Sequence, residues 1–162
     1  MKSSPEILQI EAKKLIGMSV HMSLAENKTY QLFSSFMPRR KEIKLLKEDE
    51  VLDLRVYSAD YFSDFNPGNS FVKWALVEVS DFGQLPESMQ TFELEGGRYA
   101  VFKAKGSEAP ALYQHIFTSW LPQSVYALDD RPHFEILQVT GKPNDPDADE
   151  FFYIPIKAKE SQ

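Results

Sequence analysis

The sequence predicts an α+β protein built from two βαββ repeats, their antiparallel sheets joined about a pseudo-two-fold axis with a central cleft. Three observations carry this expectation. Strand-like alternation and helical periodicity follow one another in the same order twice, over residues 7–80 and again over residues 90–158. Phe33-Ser34-Ser35-Phe36-Met37-Pro38 is matched 84 residues later by Phe117-Thr118-Ser119-Trp120-Leu121-Pro122, aromatic for aromatic and proline for proline. Leu52-Asp53-Leu54 is matched 82 residues later by Phe134-Glu135-Ile136, so each half carries a carboxylate between apolar residues on the strand after its helix.

In the first repeat, residues 7–23 alternate loosely, with Lys13, Lys14, Ser19 and His21 between apolar positions, and read as a strand broken near Gly17. Over residues 27–36, Tyr30, Phe33 and Phe36 recur at helical spacing beside Leu32, with Asn27 as N-cap. Pro38 interrupts or ends that helix. Arg39-Arg40-Lys41 resembles a basic patch, but Glu42, Glu48, Asp49 and Glu50 offset it, which favours a solvated segment over a phosphate site. Residues 51–58 set Leu52, Leu54 and Val56 against Asp53, Arg55 and Tyr57, the pattern of a half-buried strand. The chain must turn at Asn66-Pro67-Gly68-Asn69, and residues 71–80 form a strand with Val72, Trp74 and Leu76 on one face.

The second repeat opens at residues 92–105, kinked at Gly96-Gly97 and extended through Tyr99-Ala100-Val101-Phe102. Residues 107–121 are helical: Leu112, Ile116 and Trp120 make one apolar row, Tyr113, Phe117 and Leu121 a second, and Pro122 ends the helix. Residues 134–140 and 150–157 form strands around a Pro/Asp loop at 142–149, and Pro155 places the last strand at an edge. With 162 residues, 43% of them hydrophobic, the chain is long enough for one buried core and short for two, so residues 1–162 read as a single domain.

Charge and composition narrow the function. There are 24 acidic and 18 basic residues, a net charge of -6, so phosphate repulsion disfavours direct nucleic-acid binding and an anionic membrane surface, while a cationic ligand is easier to hold. No cysteine means no disulfide, no zinc thiolate and no thiol nucleophile. His21, His115 and His133 match no metal-ligand spacing. Asp145, Asp147 and Asp149 imitate a calcium loop, but Glu150 stands where glycine belongs and Ile156 where a bidentate glutamate belongs. Gly96-Gly97 is an isolated pair and makes no phosphate cradle. No metal or cofactor is expected. The N-terminus lacks the apolar core of a signal peptide and no run of about 18 apolar residues occurs, so a cytoplasmic location is expected.

Glu135 is the residue that asks for an explanation. It lies in His133-Phe134-Glu135-Ile136-Leu137, and a carboxylate held among apolar groups is costly unless something binds it. Strand alternation leaves two readings open: an outward-facing side chain, or the polar anchor of a small-molecule pocket. The 13% aromatic content fits either a ring-lined cavity or an aromatic core. Trp120, Tyr99, Tyr153, Phe36 and Trp74 are the candidate ring walls, and each also fits a core position.

The ordered set Leu85-Pro86-Glu87-Ser88-Met89, Gly97-Arg98-Tyr99-Ala100-Val101-Phe102, Trp120-Leu121-Pro122, Pro132-His133-Phe134-Glu135 and Tyr153-Ile154-Pro155-Ile156-Lys157 resembles the GyrI-like family, also called AraC-type effector-binding domains. The resemblance runs from about Leu85 to Lys157. It implies a duplicated βαββ fold that binds lipophilic, often cationic or aromatic compounds between its halves, with a buried glutamate as anchor. Carried over, that glutamate is Glu135 and Trp120 is the helix aromatic beside it. Family members often have tyrosine two positions after the glutamate, where this chain has Leu137. With only a few polar residues before Ile7, a stand-alone effector domain is the expectation.

Two functions from different classes follow. In the first, Trp120 stacks on a flat hydrophobic compound and Glu135 neutralises its charge. In the second, Glu135 is a catalytic acid or base in a detoxifying hydrolase acting on cyclopropane-containing electrophiles, a role the resemblance links to some relatives. A protein partner, DNA gyrase or a regulator, is suggested by the family name alone.

Overall fold

The computed structural model describes residues 4–47, 50–63, 66–138 and 148–160. Among them are nine strands: β1 (Glu6–Ile10), β2 (Lys13–Ser23), β3 (Glu50–Val56), β4 (Ser70–Val79), β5 (Gln90–Leu94), β6 (Gly97–Lys105), β7 (Tyr126–Leu128), β8 (His133–Gln138) and β9 (Asp149–Ala158). They form one antiparallel sheet in the order β1-β6-β9-β8-β3-β4-β2-β5, with β7 beside β9. Two helices complete this α+β fold, α1 (Thr29–Phe36) and α2 (Ala109–His115). The element order strand, helix, strand, strand occurs twice, as β2-α1-β3-β4 and as β6-α2-β8-β9 with the short β7 inserted, and β3 pairs with β8 where the two sets meet.

The sheet curls until its edges meet. β1 pairs with β6 at one edge and β2 with β5 at the other, yet only Glu11 and Ala12 separate β1 from β2, and only Glu95 and Gly96 separate β5 from β6. Links this short span about 11 Å at most, so both crossings force the edges together. The inward face is filled by Leu15, Leu52, Leu54, Leu76, Leu94, Tyr99, Val101, Phe134 and Ile136. Alternation sends the intervening residues outward, where α1 covers Ile16, Val51, Ala75 and Val77, and α2 covers Ala100, Phe102, Phe152 and Ile154.

Several sequence expectations change. The break in residues 7–23 falls at Glu11-Ala12; Gly17 lies in mid-strand opposite Leu76, and a Cβ there would run into the Ala75 carbonyl. Glycine at 17 serves a close backbone approach. α1 ends at Phe36, and Pro38 sits in the first turn of a 3-10 segment, Met37–Glu42, where its missing N–H is tolerated; Pro122 does not end the second helix but lies within its last turn, Leu121–Gln123, reached through a π-turn at Ile116–Trp120. The last strand is central, between β6 and β8, and Pro155 falls between the stretch paired with β8 and the stretch paired with β7. The N-cap of α1 is Lys28 and not Asn27, whose Oδ1 accepts the Thr29 N–H at 2.9 Å from one position further back. Asp145, Asp147 and most of the 142–149 loop lie outside the described residues, while Asp149 begins β9 and lies 3.6 Å from Lys103.

Candidate functional site

Where β3 meets β8 the register pairs Val51 with Leu137, Asp53 with Glu135 and Arg55 with His133. These residues share the outward, helix-bearing face. Two carboxylates are therefore brought side by side between α1 and α2, and Asp53, Glu135 and the β4 lysine Lys73 are each only 6% exposed. Asp53 is not solvated, as alternation alone implied, because the helices and residues 57–63 cover this face of the sheet.

Arg55 joins the cluster. Its Nη2 donates to Glu135 Oε1, its Nη1 donates to the Tyr113 hydroxyl at 2.8 Å, and its Nε lies 3.4 Å from Asp53 Oδ1. Tyr113, on α2, donates its own hydroxyl proton to Glu135 Oε1 at 2.6 Å. Lys73 Nζ lies 3.3 Å from Asp53 Oδ2 and donates to Thr29 Oγ1, on α1, at 2.9 Å. Each helix thus supplies a hydroxyl to a four-charge cluster of two acids and two bases. Asp53 Oδ1 and Arg55 Nε are nevertheless buried without a hydrogen bond among the described residues.

The electrostatics follow from burial and neighbours. Burial opposes the charge on Arg55, but Tyr113, Glu135 and Asp53 together hold its pKa well above the ordinary value. Burial lowers the pKa of Lys73 in spite of Asp53. Burial raises that of Tyr113, and Glu135 adds to the rise. The His133 imidazole is pushed down to about 3 by burial and by Arg55, which keeps it neutral. Burial and the neighbouring Glu135 carry the Glu150 carboxyl up to about 7.

Rings wall the cluster. Phe62 stacks on Phe117 at 5.1 Å and on His133 at 5.4 Å, and Tyr57 meets Tyr61, Phe62, Phe71 and His133 at 4.5–5.0 Å. Phe62 is itself 37% exposed, so it is the outermost ring of this wall. Two grooves of about 400 Å³ lie elsewhere, one along α1 and β2 at Met18, Gln31 and Ser88, the other at Lys13 and Glu93. Arg55 and Tyr113 contact Glu135 directly.

Of the candidate ligand-binding residues named from sequence, only Glu135 stands here, beside its matching carboxylate Asp53. Trp120 packs edge-on against Phe102 at 5.3 Å and lies near Tyr126, in the cluster under α2. Phe36 is fully buried under α1. Tyr99, Tyr153 and Trp74 line the inward face of the curled sheet: Tyr99 donates to the Pro132 carbonyl, Tyr153 stacks on Phe134 at 4.4 Å, and Trp74 meets Phe92. The structure does not bring these five to the carboxylate. It brings Tyr113 instead, from the second apolar row of the helix, and so supplies from α2 the hydroxyl that position 137 lacks. Sequence reading sets Arg55 only on the polar face of its strand and passes over Lys73, because a lone basic residue on a strand carries no local signal of its partner; the alternation of Asp53, Arg55 and Tyr57 against Leu52, Leu54 and Val56 is the available hint. Among the described residues no group of three or more His, Cys, Asp or Glu side chains is placed to hold a metal.

Residues 3–157 match the GyrI-like small molecule binding domain, and the chain belongs to that family. Solved structures repeat its fold over nearly the whole length. The EcmrR C-terminal domain has a TM-score of 0.74 at 12% identity, with 98% of this chain and 100% of that chain covered. SAV2435 bound to tetraphenylphosphonium has a TM-score of 0.63 at 16% identity, with 97% and 94% covered. A hydrolase encoded by lin2189 from Listeria innocua has a TM-score of 0.64 at 11% identity, with 96% and 93% covered. No curated protein matches the chain. No helix among the described residues is long and apolar enough to cross a membrane.

Proposed function

We propose that this domain binds a lipophilic, aromatic or cationic small molecule beside Glu135, as a sensor or protection protein. The observation that carries the reading is the buried Glu135 carboxylate held by the Tyr113 hydroxyl under the rings of Phe62 and Phe117. A carboxyl group out of water among rings favours a diffuse cation over a hydrated one. SAV2435, a fold neighbour, is bound to one such cation, tetraphenylphosphonium. We read the two halves as copies of one βαββ unit about a pseudo-two-fold axis at the β3–β8 junction; the repeated element order and the Asp53–Glu135 pairing support this. Calorimetry with tetraphenylphosphonium tests the function: wild type binds it and Glu135→Gln loses most of the affinity. Equal binding by the two proteins would remove Glu135 as anchor.

One observation favours a second reading, a detoxifying hydrolase. Glu150, whose carboxyl is raised to about 7, neighbours Glu135, so a proton donor and a carboxylate stand together. A cyclopropane-containing electrophile incubated with wild type and Glu135→Gln, followed by product analysis, separates the readings. Turnover by wild type alone supports hydrolysis; none by either protein leaves binding.

A further inference from the structure

We infer that Arg55 decides which ligands this site accepts: its guanidinium occupies the position of a ligand cation, and an aryl amidine or guanidine is the ligand class that can replace it. The inference rests on the reading of Glu135 as ligand anchor. Arg55 places two N–H donors side by side, one on Glu135 Oε1 and one on the Tyr113 hydroxyl, with its carbon 5.3 Å from the Tyr113 ring centre. A planar amidinium presents the same pair of donors, and an aromatic ring attached to it has Phe62, Phe117 and His133 as neighbours.

Occupancy requires Arg55 to move when such a ligand enters. Its two donors already fill Glu135 Oε1 and the Tyr113 hydroxyl, and the charge the ligand adds is balanced by the Glu150 carboxyl beside Glu135, which releases its proton. The structure holds a second seat for the guanidinium. Arg55 Nε and Asp53 Oδ1 are 3.4 Å apart, both buried and both without a hydrogen bond among the described residues. A turn of Arg55 toward Asp53 satisfies these two groups together and releases Glu135 Oε1 and the Tyr113 hydroxyl to the ligand. Arg55 therefore competes with cations for Glu135, and the fraction of molecules in which it has turned away limits the apparent affinity.

Calorimetry with 2-naphthamidine, and with the neutral 2-naphthamide as control, tests this on wild type, Arg55→Met, Arg55→Lys and Glu135→Gln. Removal of the competitor in Arg55→Met tightens 2-naphthamidine by at least about tenfold and leaves 2-naphthamide unchanged. Arg55→Lys, which keeps the buried charge but loses the fork, tightens the amidine by a smaller factor and decides the matter if Arg55→Met does not fold. A merely loosened cavity would tighten amidine and amide alike, and that result overturns the inference. So does an amidine affinity that depends on Glu135 but does not rise in either Arg55 variant, which leaves the anchor reading intact. Absence of amidine binding in wild type and both Arg55 variants overturns the inference, and failure of tetraphenylphosphonium to bind wild type overturns the anchor reading itself.

Discussion

Asp53 and Glu135 stand opposite one another as Cα partners on β3 and β8, and a single guanidinium, that of Arg55, reaches toward both. The junction of the two sheet halves is thus held partly by charges that have left water. Such a pair adds little net stability compared with apolar residues of the same shape, but it is expensive to break from one side. The first predictions follow from that asymmetry.

Tyr113→Phe removes a hydroxyl that donates to Glu135 and accepts from Arg55, while the ring remains packed. It leaves one donor of Arg55 without its acceptor. The expected cost is about 1–2 kcal/mol in urea unfolding. An unchanged midpoint would mean that water already serves this position.

Arg55→Met takes the cation from the buried Glu135 and leaves Asp53 with Lys73, and Glu135→Gln leaves Asp53 as the acid facing Arg55. Each single substitution is expected to cost about 3 kcal/mol, and the double variant less than their sum by at least about 1 kcal/mol. A double-mutant cycle in denaturant measures the difference. Strict additivity would show that the two side chains act independently.

Glu150 gives a pH dependence with a definite sign. Its carboxyl is raised from 4.5 to about 7, so the folded chain binds this proton more tightly than the unfolded chain. The stabilisation is complete below pH 4.5 and is lost as pH rises to about 7. His133 works the other way, because an imidazole lowered from 6.5 to about 3 makes the unfolded chain the better proton binder as pH falls below 6.5. Comparison of Glu150→Gln with wild type isolates the first effect: relative to wild type, the variant gains about 1–2 kcal/mol between pH 4.5 and 7, a figure reduced for partial exposure. Parallel stability curves for the two proteins across that interval would contradict the assignment.

Gly17→Ala tests the close approach of β2 to β4. The added Cβ meets backbone, the Ala75 carbonyl, which cannot rotate away as a side chain would. A loss of about 1–3 kcal/mol or more in thermal or urea unfolding is expected. A substitution at Gly68, where the nearest atom is the Asn66 side chain at 3.3 Å, serves as the tolerant control.

Much of the fold was legible because alternation is a local property. Leu52, Leu54, Trp74, Leu76, Phe134 and Ile136 were separable from Asp53, Arg55 and Glu135 by period alone, and all six do face inward. The same pattern misled about exposure. It shows that a strand has two different faces, not that the polar face is wet, and here helices and residues 57–63 close over it. Trp120 misled for a related reason. The family resemblance sets Trp120 beside the glutamate, yet Trp120 and Tyr113 lie on adjacent rows of one helix, and only the direction of docking sends one row to Phe102 and the other to Glu135.

By itself, the sequence determined the strand, helix, strand, strand order of each half, the two faces of β3 and β4, the unusual carboxylate at Glu135 and the resemblance to the family. The tertiary structure alone decided which charges that carboxylate meets. Arg55 is 80 residues from Glu135 in the chain and Tyr113 is 22 residues away, and their hydrogen bonds form only because β3 pairs with β8 and α2 docks beside them. Hydrophobic period is set residue by residue along the chain, whereas partnership between buried charges depends on register and docking, which the whole fold sets at once.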